Sequence, residues 1–517
     1  MLKLPVGIET FSELREEGYV YIDKTQYLHK LVKEGKSYFL SRPRRFGKSL
    51  FLSTIKELFK GNKKLFEGLY IYDKWDWDEK YPVITLNLGG GKFHTANDLE
   101  TDLMNILNDL AFEFNIKFEN TTASRRFGEL IKKIHKKTNK KVVVLVDEYD
   151  QPIISNLQNK DLNIIQEDLG SFYQILKAND EFIKFIFITG ISKFAHVSIF
   201  SKLNNLDDIS LIDEFNGICG YSQEDLEDNF QDYVQKLANK FEYSYTDALN
   251  EIKAFYNGYS WNGDEKVYNP FSTLLCFKYS EFLSEWFNSG TPRVLANYPM
   301  STHSIKALVE PSMVSYNELK NSTTEYIKNE ILLFQTGYLT VDTIDRVKKN
   351  RLYTLKIPNL EVKNALLENL LRQHSKIPTR DIIDYGEKLL DYTLKGNCEK
   401  IVETLGDYLS PISNKIRGHD ERFYHALIFI LLYSTKIHVH TNVSSFKGNA
   451  DLVIEEGNTV IIIEFKQDDK KSIEYMINDA MNQIEKREYA RQYKNKKIIK
   501  GAIVFKKGEI GCKLITE

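Results

Sequence analysis

Residues 38–49 constrain this chain most, because one local pattern there predicts both a fold element and a chemistry. The apolar residues 38–41 are followed by Arg42-Pro43-Arg44-Arg45-Phe46-Gly47-Lys48-Ser49 and then by a run with helical periodicity. This order predicts a strand, a tight loop and a helix start. Gly47-Lys48-Ser49 at such a junction is the core of a phosphate-binding loop, in which backbone N–H groups, the lysine and a serine-bound Mg²⁺ face the phosphates. The standard loop has glycine where this chain has Arg42, so the loop alone leaves nucleotide binding undecided.

Two adjacent carboxylates end a second apolar run. Residues 142–146 have the pattern of a parallel strand that is buried on both faces, and Asp147 and Glu148 follow it. Ligands of open α/β sheets bind at the carboxyl ends of strands. Asp147 would help to hold Mg²⁺ there, and Glu148 would polarise the attacking water. A buried strand that merely ends in acids is the alternative, which the upstream loop disfavours.

The first half of the chain alternates between apolar segments and helical patterns. The segments at about 37–41, 82–87, 141–146 and 185–189 predict strands, and one long helical pattern covers about 97–137. The alternation predicts a parallel sheet with helices on both faces. Before the loop, Asp23-Lys24-Thr25 indicates a helix cap, although this segment could instead close over a nucleotide base.

A third group of charged residues lies in the last hundred residues. Residues 448–454 and 460–466 predict two strands joined by a Gly-Asn turn, which makes a hairpin. Glu464 and Lys466 are two apart, so they share one face of the second strand, and Asp451 lies on the first. Two converging carboxylates would hold Mg²⁺, and the lysine would orient water and stabilise charge on a phosphodiester. A solvated pair is the alternative, but the flanking apolar residues indicate a buried strand, where charges need partners.

Length and composition restrict the class of protein. A chain of 517 residues predicts roughly two to four domains. Its net charge of −2 limits any nucleic-acid surface to a local patch. The start of the chain lacks a signal-peptide pattern, and the apolar run 426–433 is too short to span a bilayer. We therefore expect a cytoplasmic protein without a membrane partner. Four cysteines far apart in the sequence argue against a zinc site or a disulfide framework: Cys219, Cys276, Cys398 and Cys512.

Several motifs, in the same order, resemble the predicted AAA-ATPase-like family of bacteria and archaea, which commonly carries a C-terminal PD-(D/E)xK nuclease-like domain. The similarity covers about residues 4–215, and the arginine-rich loop resembles the family's own form. It implies ATP and Mg²⁺ as cofactors. The motifs are Tyr21-Ile22-Asp23-Lys24-Thr25, the loop itself, Val146-Asp147-Glu148-Tyr149-Asp150 and Phe200-Ser201-Lys202-Leu203-Asn204-Asn205-Leu206-Asp207-Asp208.

The resemblance also implies roles for single residues of the ATPase region. In ATPases of the AAA type the strand beside the acidic one often ends in a polar residue that senses the γ-phosphate. Thr189 or Ser192 would occupy that place, and a plain strand end is the alternative. An arginine finger stays unassigned among Arg44, Arg45 and Arg293. The nucleotide site is predicted to comprise Arg44, Arg45, Phe46, Gly47, Lys48, Ser49, Asp147 and Thr189, with Ser49 and Asp147 on the metal.

The C-terminal pattern resembles the PD-(D/E)xK core, in which Ala450 stands where proline is frequent. Asp451 and Glu464 would be the metal ligands, as the hairpin itself suggests. The helix at 478–489 is similar to the helix that follows the core, so Gln483 would be the active-site glutamine. Glu421 would be the acidic residue of the first helix, and a strand at 501–505 would complete the fold.

The sequence thus predicts an α/β protein with three regions. Residues 1–215 would form the ATPase domain with its parallel sheet, 216–400 a helical lid and linker, and 401–517 an α/β restriction-endonuclease-like domain. The predicted function is ATP hydrolysis coupled to metal-dependent cleavage of DNA or RNA, in defence or in a mobile element. A nucleotide-dependent signalling switch with a non-catalytic nuclease-like module is the alternative, as is a nucleic-acid-binding module with a dead ATPase. A homo-oligomer is left open.

Overall fold

The structure is a computed structural model of the chain, and its described residues form two compact units. One unit comprises the described residues of Met1–Gly290 and Ser312–Glu361, and the other those of Thr291–Pro311 and Val362–Glu517. The residues described are 2–91, 93–157, 159–193, 205–285, 311–320, 328–346, 351–366, 378–410, 424, 427–428, 431–432, 435, 438–445, 448–493 and 496–517.

A five-stranded parallel sheet is the centre of the first unit. Its strands are β1 (Ser37–Ser41), β2 (Val83–Asn87), β3 (Val142–Asp147), β4 (Ile183–Gly190) and the short β5 (Asp207–Asp208). They lie in the order β2-β3-β4-β1-β5, and each neighbouring pair is parallel. Every residue of β1 and β3 is buried. Since alternate side chains point to opposite faces, both faces of the sheet are covered, and the predicted parallel sheet is confirmed.

Seven helices accompany this sheet along the described chain. The predicted helical stretch 97–137 is two helices, because Asn115 adopts a left-handed φ of 51° after the first of them. Thr95 begins that first helix with a capping box to Asp98. The helices are α1 (Phe11–Glu16), α2 (Thr25–Glu34), α3 (Lys48–Lys60), α4 (Ala96–Glu113), α5 (Ala123–Thr138), α6 (Gln151–Ile154) and α7 (Leu162–Ala178).

The region predicted to be helical also holds a small sheet. Three antiparallel strands, β6 (Ser312–Ser315), β7 (Thr340–Asp345) and β8 (Leu352–Lys356), lie in the order β6-β8-β7. The sequence did not predict them, because they are short and two of them flank helices. The helices here are α8 (Gln223–Asn229), α9 (Gln231–Phe241), α10 (Tyr245–Tyr256), α11 (Pro270–Tyr279), α12 (Tyr316–Lys320) and α13 (Asn329–Thr336).

The second unit is built on a mixed sheet in the order β13-β12-β11-β10-β9. The predicted hairpin is present: β10 and β11 are antiparallel and turn at Gly457, which has a φ of 55°. The predicted last strand is the centre of β12, and β13 follows it. The strands are β9 (His438–Ser445), β10 (Gly448–Glu456), β11 (Thr459–Gln467), β12 (Lys497–Lys506) and β13 (Glu509–Thr516), and the helices are α14 (Thr379–Leu394), α15 (Cys398–Leu409) and α16 (Ile473–Lys486).

The apolar run 426–433 is only partly among the described residues. Leu427, Ile428, Leu431 and Leu432 are helical and buried in the core of the second unit. In the described part of the chain, no helix combines the length and apolarity that crossing a membrane requires.

Candidate functional sites

The loop between β1 and α3 has the backbone of a phosphate-binding loop. Arg45 and Gly47 adopt left-handed φ angles of 66° and 91°, which turn the chain so that Lys48 begins α3. The buried Lys48 donates from Nζ to the carbonyl oxygens of Arg42 at 3.0 Å and Pro43 at 2.9 Å. Burial lowers the pKa of Lys48, and the charge of Asp147 opposes that shift. The Lys48 ammonium group therefore lies against the loop backbone, where it could exchange these carbonyl oxygens for those of a phosphate.

Arg42 occupies the position at which a standard phosphate-binding loop has glycine. Its side chain anchors the loop through hydrogen bonds to backbone carbonyl oxygens. The guanidinium is fully buried and donates to the carbonyl oxygens of Ser41, Ser210 and Phe215, each at 2.9 Å. It also lies 3.8 Å from the ring centroid of Trp261. Burial lowers the pKa of Arg42 to about 10. The arginine thus ties the loop to the segments that follow the sheet, which explains why this loop tolerates the loss of glycine.

This contact set predicts that restoring the standard glycine damages the protein. Arg42→Gly is expected to lower the free energy of unfolding of the first unit by about 3 kcal/mol or more, because three hydrogen bonds from a buried cation are lost. Arg45→Gly is the matched control in the same loop: its left-handed φ favours glycine, so we expect little or no loss of stability. Denaturant unfolding of both variants measures the difference. Equal stabilities would show that Arg42 does not hold the loop.

The ring of Phe46 anchors the loop on its other side. It packs edge-on against Tyr259 and Trp261, with centroid distances of 4.8 and 5.6 Å. Its carbonyl oxygen accepts a hydrogen bond from the Gly220 N–H at 3.1 Å. We therefore assign the Phe46 side chain to packing and restrict its proposed part in nucleotide binding to the backbone.

Three predicted residues converge on one carboxylate at the carboxyl ends of β3 and β4. Asp147 is buried, and its Oδ2 accepts from the Ser49 hydroxyl at 2.6 Å, whereas its Oδ1 accepts from Thr189 at 2.5 Å. The Glu148 N–H also donates to Oδ1, at 3.1 Å. Mg²⁺ prefers oxygen ligands such as hydroxyl and carboxylate groups, so the side chains of Ser49 and Asp147 fit a nucleotide-bound magnesium ion.

Ser192, the other candidate for sensing the γ-phosphate, is engaged elsewhere. Its N–H and its hydroxyl donate to Asp150 Oδ2 at 2.6 and 2.5 Å. Asp150 is fully buried, which raises its pKa, and these bonds act in the opposite direction. Tyr149 donates to the Ser192 carbonyl oxygen at 2.9 Å. Asp150 and Ser192 thus join the ends of β3 and β4, and of the two candidates the structure places Thr189 on Asp147.

Glu148 lines a cavity of about 430 Å³. Its backbone is left-handed, with a φ of 52°, and burial raises the pKa of its carboxyl group, although Lys48 partly offsets that rise. The other lining residues come from the loop, from the start of the chain, from the segment after β2 and from the start of α11. They include Arg44, Arg45, Gly47, Lys48, Ser49, Pro5, Gly7, Ile8, Glu9, Gly89, Pro270 and Phe271. A nucleotide that lies along Lys48 and Ser49 would therefore present its terminal phosphate near Glu148.

Gly89 leaves room for the Glu148 carboxyl group. A Cβ atom built on Gly89 would lie 2.3 Å from Glu148 Oε2, whereas one built on Gly90 would meet nothing within 4 Å. Gly89→Ala is expected to displace the carboxyl group and lower ATP turnover about 10-fold or more, because general-base catalysis depends on position. Gly90→Ala should retain wild-type turnover. Phosphate release by both variants is the measurement, and equal rates would contradict the role of Gly89.

The segment before the loop is a helix start, as the first interpretation predicted. Asp23 Oδ1 accepts from the Thr25 N–H and hydroxyl at 2.8 and 2.7 Å, and Oδ2 accepts from the Tyr70 N–H at 2.6 Å. Tyr21 and Lys24 line a smaller hollow of about 70 Å³ beside Gly47. Contact with a nucleotide base remains a proposal.

The arginine-finger candidates face local partners. Arg44 donates to Gln151 Oε1 at 3.2 Å, and Arg45 lies 3.6 Å from a carboxylate oxygen of Glu9. Arg293 lies outside the described residues. Both described arginines line the cavity of about 430 Å³.

The hairpin of the second unit brings its predicted residues together. Gln483, on α16, donates from Nε2 to Glu464 Oε2 at 2.8 Å and accepts from Lys466 Nζ at 3.0 Å. Asp451, on the neighbouring strand, accepts through Oδ2 from the Phe465 N–H at 2.9 Å. Four of the five predicted nuclease residues therefore form one cluster, and Glu421 lies outside the described residues.

The Glu464 carboxyl group is buried beside a second carboxyl group, that of Asp451. It is fully buried, and its Oε1 has no hydrogen-bond partner among the described residues. Burial, followed by the negative charge of Asp451, raises the pKa of Glu464 to about 9. A buried oxygen without a partner beside a second carboxylate fits a divalent cation, which Asp451 and Glu464 would hold. Among the described residues, no three His, Cys, Asp or Glu side chains are placed so that together they could hold a metal ion.

Two further residues at this cluster escaped the sequence interpretation. The Tyr489 hydroxyl interacts with Glu464, and burial followed by the charge of Glu464 raises its pKa. Arg487 donates to that hydroxyl at 3.2 Å, and this bond raises the pKa of the guanidinium. Arg487 is four residues after Gln483, and residues with this spacing share one face of a helix. This spacing is the sequence signal from which Arg487 could have been predicted.

Comparison with known proteins agrees with both units. The family model "Predicted AAA-ATPase" matches residues 5–200, and that of the "PD-(D/E)XK nuclease superfamily" matches 419–513. The "Uncharacterized protein in vnfD 5'region" of Azotobacter chroococcum mcd 1 is 35% identical over 500 residues, which cover 95% of this chain and 94% of that protein. The chain belongs to the predicted AAA-ATPase family and carries a C-terminal domain of the PD-(D/E)XK nuclease superfamily.

Among solved structures, the chain is similar to that of the Aeropyrum pernix ORC1 protein in complex with DNA, with 13% identity and a TM-score of 0.26 over 67% of this chain and 91% of that chain.

Proposed function

We propose that this protein hydrolyses ATP in its first unit and cleaves a nucleic-acid phosphodiester in its second. The observation that carries the proposal is that each unit gathers a carboxylate and a lysine at one point: Asp147 with Lys48, and Glu464 with Lys466. Both pairs belong to sites that suit a divalent cation next to a phosphate.

In the first unit, each residue has a defined task. Lys48 would exchange the carbonyl oxygens of Arg42 and Pro43 for phosphate oxygens of ATP. Ser49 and Asp147 would hold Mg²⁺, with Thr189 fixing the orientation of the Asp147 carboxylate. Glu148 would take the proton of the attacking water; its raised pKa brings it closer to the range in which a general base works at neutral pH.

In the second unit, Asp451 and Glu464 would hold the divalent cation, which when bound supplies Lewis-acid stabilisation of the phosphodiester. Gln483 orients both Glu464 and Lys466 through its amide group. The Lys466 ammonium would then position water or stabilise the negative charge that develops on the phosphate. Arg487, next to Tyr489, adds a second cationic group for a nucleic-acid phosphate.

Nucleotide state would control cleavage, and this coupling can be tested on the full chain. Mg²⁺-dependent cleavage of single-stranded DNA, double-stranded DNA and RNA is measured with and without ATP, for wild type and Lys48→Ala. Control by ATP predicts that ATP changes the wild-type rate and leaves that of Lys48→Ala unchanged. Equal ATP responses would reject coupling, and ATP hydrolysis without cleavage of any substrate would favour the signalling switch.

A further inference from the structure

Two cysteines that are far apart in the sequence meet in the second unit. Cys398 is the first residue of α15, and Cys512 lies in β13. Their Sγ atoms are 3.1 Å apart, and both residues are half-buried. All four cysteines are free in the structure, and their separation in the sequence gives no indication that two of them meet.

The packing of α15 on the sheet holds this arrangement. Ile401, Leu405 and Tyr408 of α15 are buried in the same hydrophobic core as strands of the sheet, and Cys512 packs against that core. A disulfide requires the two sulfur atoms about 2.05 Å apart, so an approach of about 1 Å would join them. Such a shift is small for two side chains on elements that are already packed together.

We propose that Cys398 and Cys512 form a reversible disulfide, which makes this pair a redox modification site. The oxidant would be a small-molecule disulfide of the glutathione class. In a reducing compartment, disulfides of this kind are typically transient or redox-sensing. The proposal does not depend on the proposed catalytic functions.

The reaction proceeds as two thiol–disulfide exchanges. The Cys398 thiolate attacks one sulfur of the small disulfide; a mixed disulfide forms, and the released thiolate takes up the proton that Cys398 lost. The Cys512 thiol then loses its proton and attacks Sγ of Cys398. This step breaks the mixed disulfide, and the second small thiolate takes up that proton. Overall, two protein thiols are oxidised and one small disulfide is reduced to two thiols.

The surroundings of the two thiols indicate which cysteine attacks the small disulfide first. Burial, followed by the neighbouring Cys398 sulfur, raises the pKa of the Cys512 thiol, which therefore keeps its proton near neutral pH. Because the thiolate is the attacking species, we assign the first attack to Cys398. The crosslink would tie α15 to the edge strand β13 and close a loop of more than one hundred residues, which restricts the unfolded chain.

The test uses the full chain in buffers of increasing oxidised-to-reduced glutathione ratio. After alkylation, peptide mass mapping should show a Cys398–Cys512 linked peptide that disappears on reduction with dithiothreitol. The melting temperature of the second unit should rise by about 10 °C in the oxidised form. Cys398→Ser and Cys512→Ala should each abolish the linked peptide and the rise, whereas Cys276→Ser should change neither.

Three outcomes would overturn the proposal. The first is that glutathione adds to the two cysteines separately at every ratio and no linked peptide forms. The second is that the crosslink joins two chains, which a non-reducing gel detects. The third is that wild type and Cys398→Ser show the same change of melting temperature on oxidation.

Discussion

Glu148→Gln is expected to lower ATP turnover about 10²- to 10⁴-fold while ATP still binds. Glutamine matches glutamate in shape but cannot accept the proton of the attacking water, so the loss falls on the chemical step. Lys48 and Ser49, which would contact the phosphates and the magnesium ion, are unchanged. Phosphate release and equilibrium binding of ATP, measured on the same preparation, separate the two effects.

Two controls define this result. Glu251→Gln removes an exposed carboxylate of α10 and should leave turnover unchanged. Lys48→Ala should instead weaken ATP binding itself. Wild-type turnover in Glu148→Gln would show that another group activates the water, or that the loop binds nucleotide without hydrolysing it.

Glu464→Gln is expected to reduce Mg²⁺-dependent cleavage about 10³-fold or more, because it removes a carboxylate ligand of the cation. The amide oxygen of the new side chain can still accept from Gln483, which preserves the local contact. Burial, followed by the negative charge of Asp451, raises the pKa of Glu464, which favours the neutral form of this carboxyl group in the metal-free protein. A neutral amide should therefore leave the metal-free protein close to wild type in stability.

Binding of the cation gives a second readout that does not depend on activity. Mg²⁺ at 100 times its dissociation constant should stabilise the wild-type second unit by about 2.7 kcal/mol and Glu464→Gln by much less. Glu456→Gln, at the exposed hairpin turn, is the matched control and should respond as wild type. Equal stabilisation of wild type and Glu464→Gln would show that Glu464 does not hold the cation.

The sequence predicts well those features that depend on local pattern. The strands β1, β3 and β4 are apolar runs flanked by polar residues, so burial on both faces could be inferred from composition alone. Glu464 and Lys466 follow from the period of a strand, and the hairpin follows from its Gly-Asn turn. Local rules thus suffice to bring Glu464 and Lys466 together on one strand.

What the sequence did not reveal depends on contacts between distant segments. Arg42 donates to the carbonyl oxygens of Ser210 and Phe215, which no spacing rule connects to it. The meeting of Cys398 with Cys512 requires the packing of a helix on an edge strand. Such contacts are set by the tertiary fold, and the sequence alone does not show which distant residues will meet.

The proposed nuclease activity is tested most directly by the rate of Mg²⁺-dependent nucleic-acid cleavage by the full chain and by Lys466→Ala, with ATP turnover measured in the same samples. Lys470→Ala, an exposed lysine beyond the same strand, is the control. Wild type and Lys470→Ala should cleave, Lys466→Ala should not, and all three should hydrolyse ATP. Cleavage that persists in Lys466→Ala, or is absent from wild type while ATP is hydrolysed, would contradict this proposal.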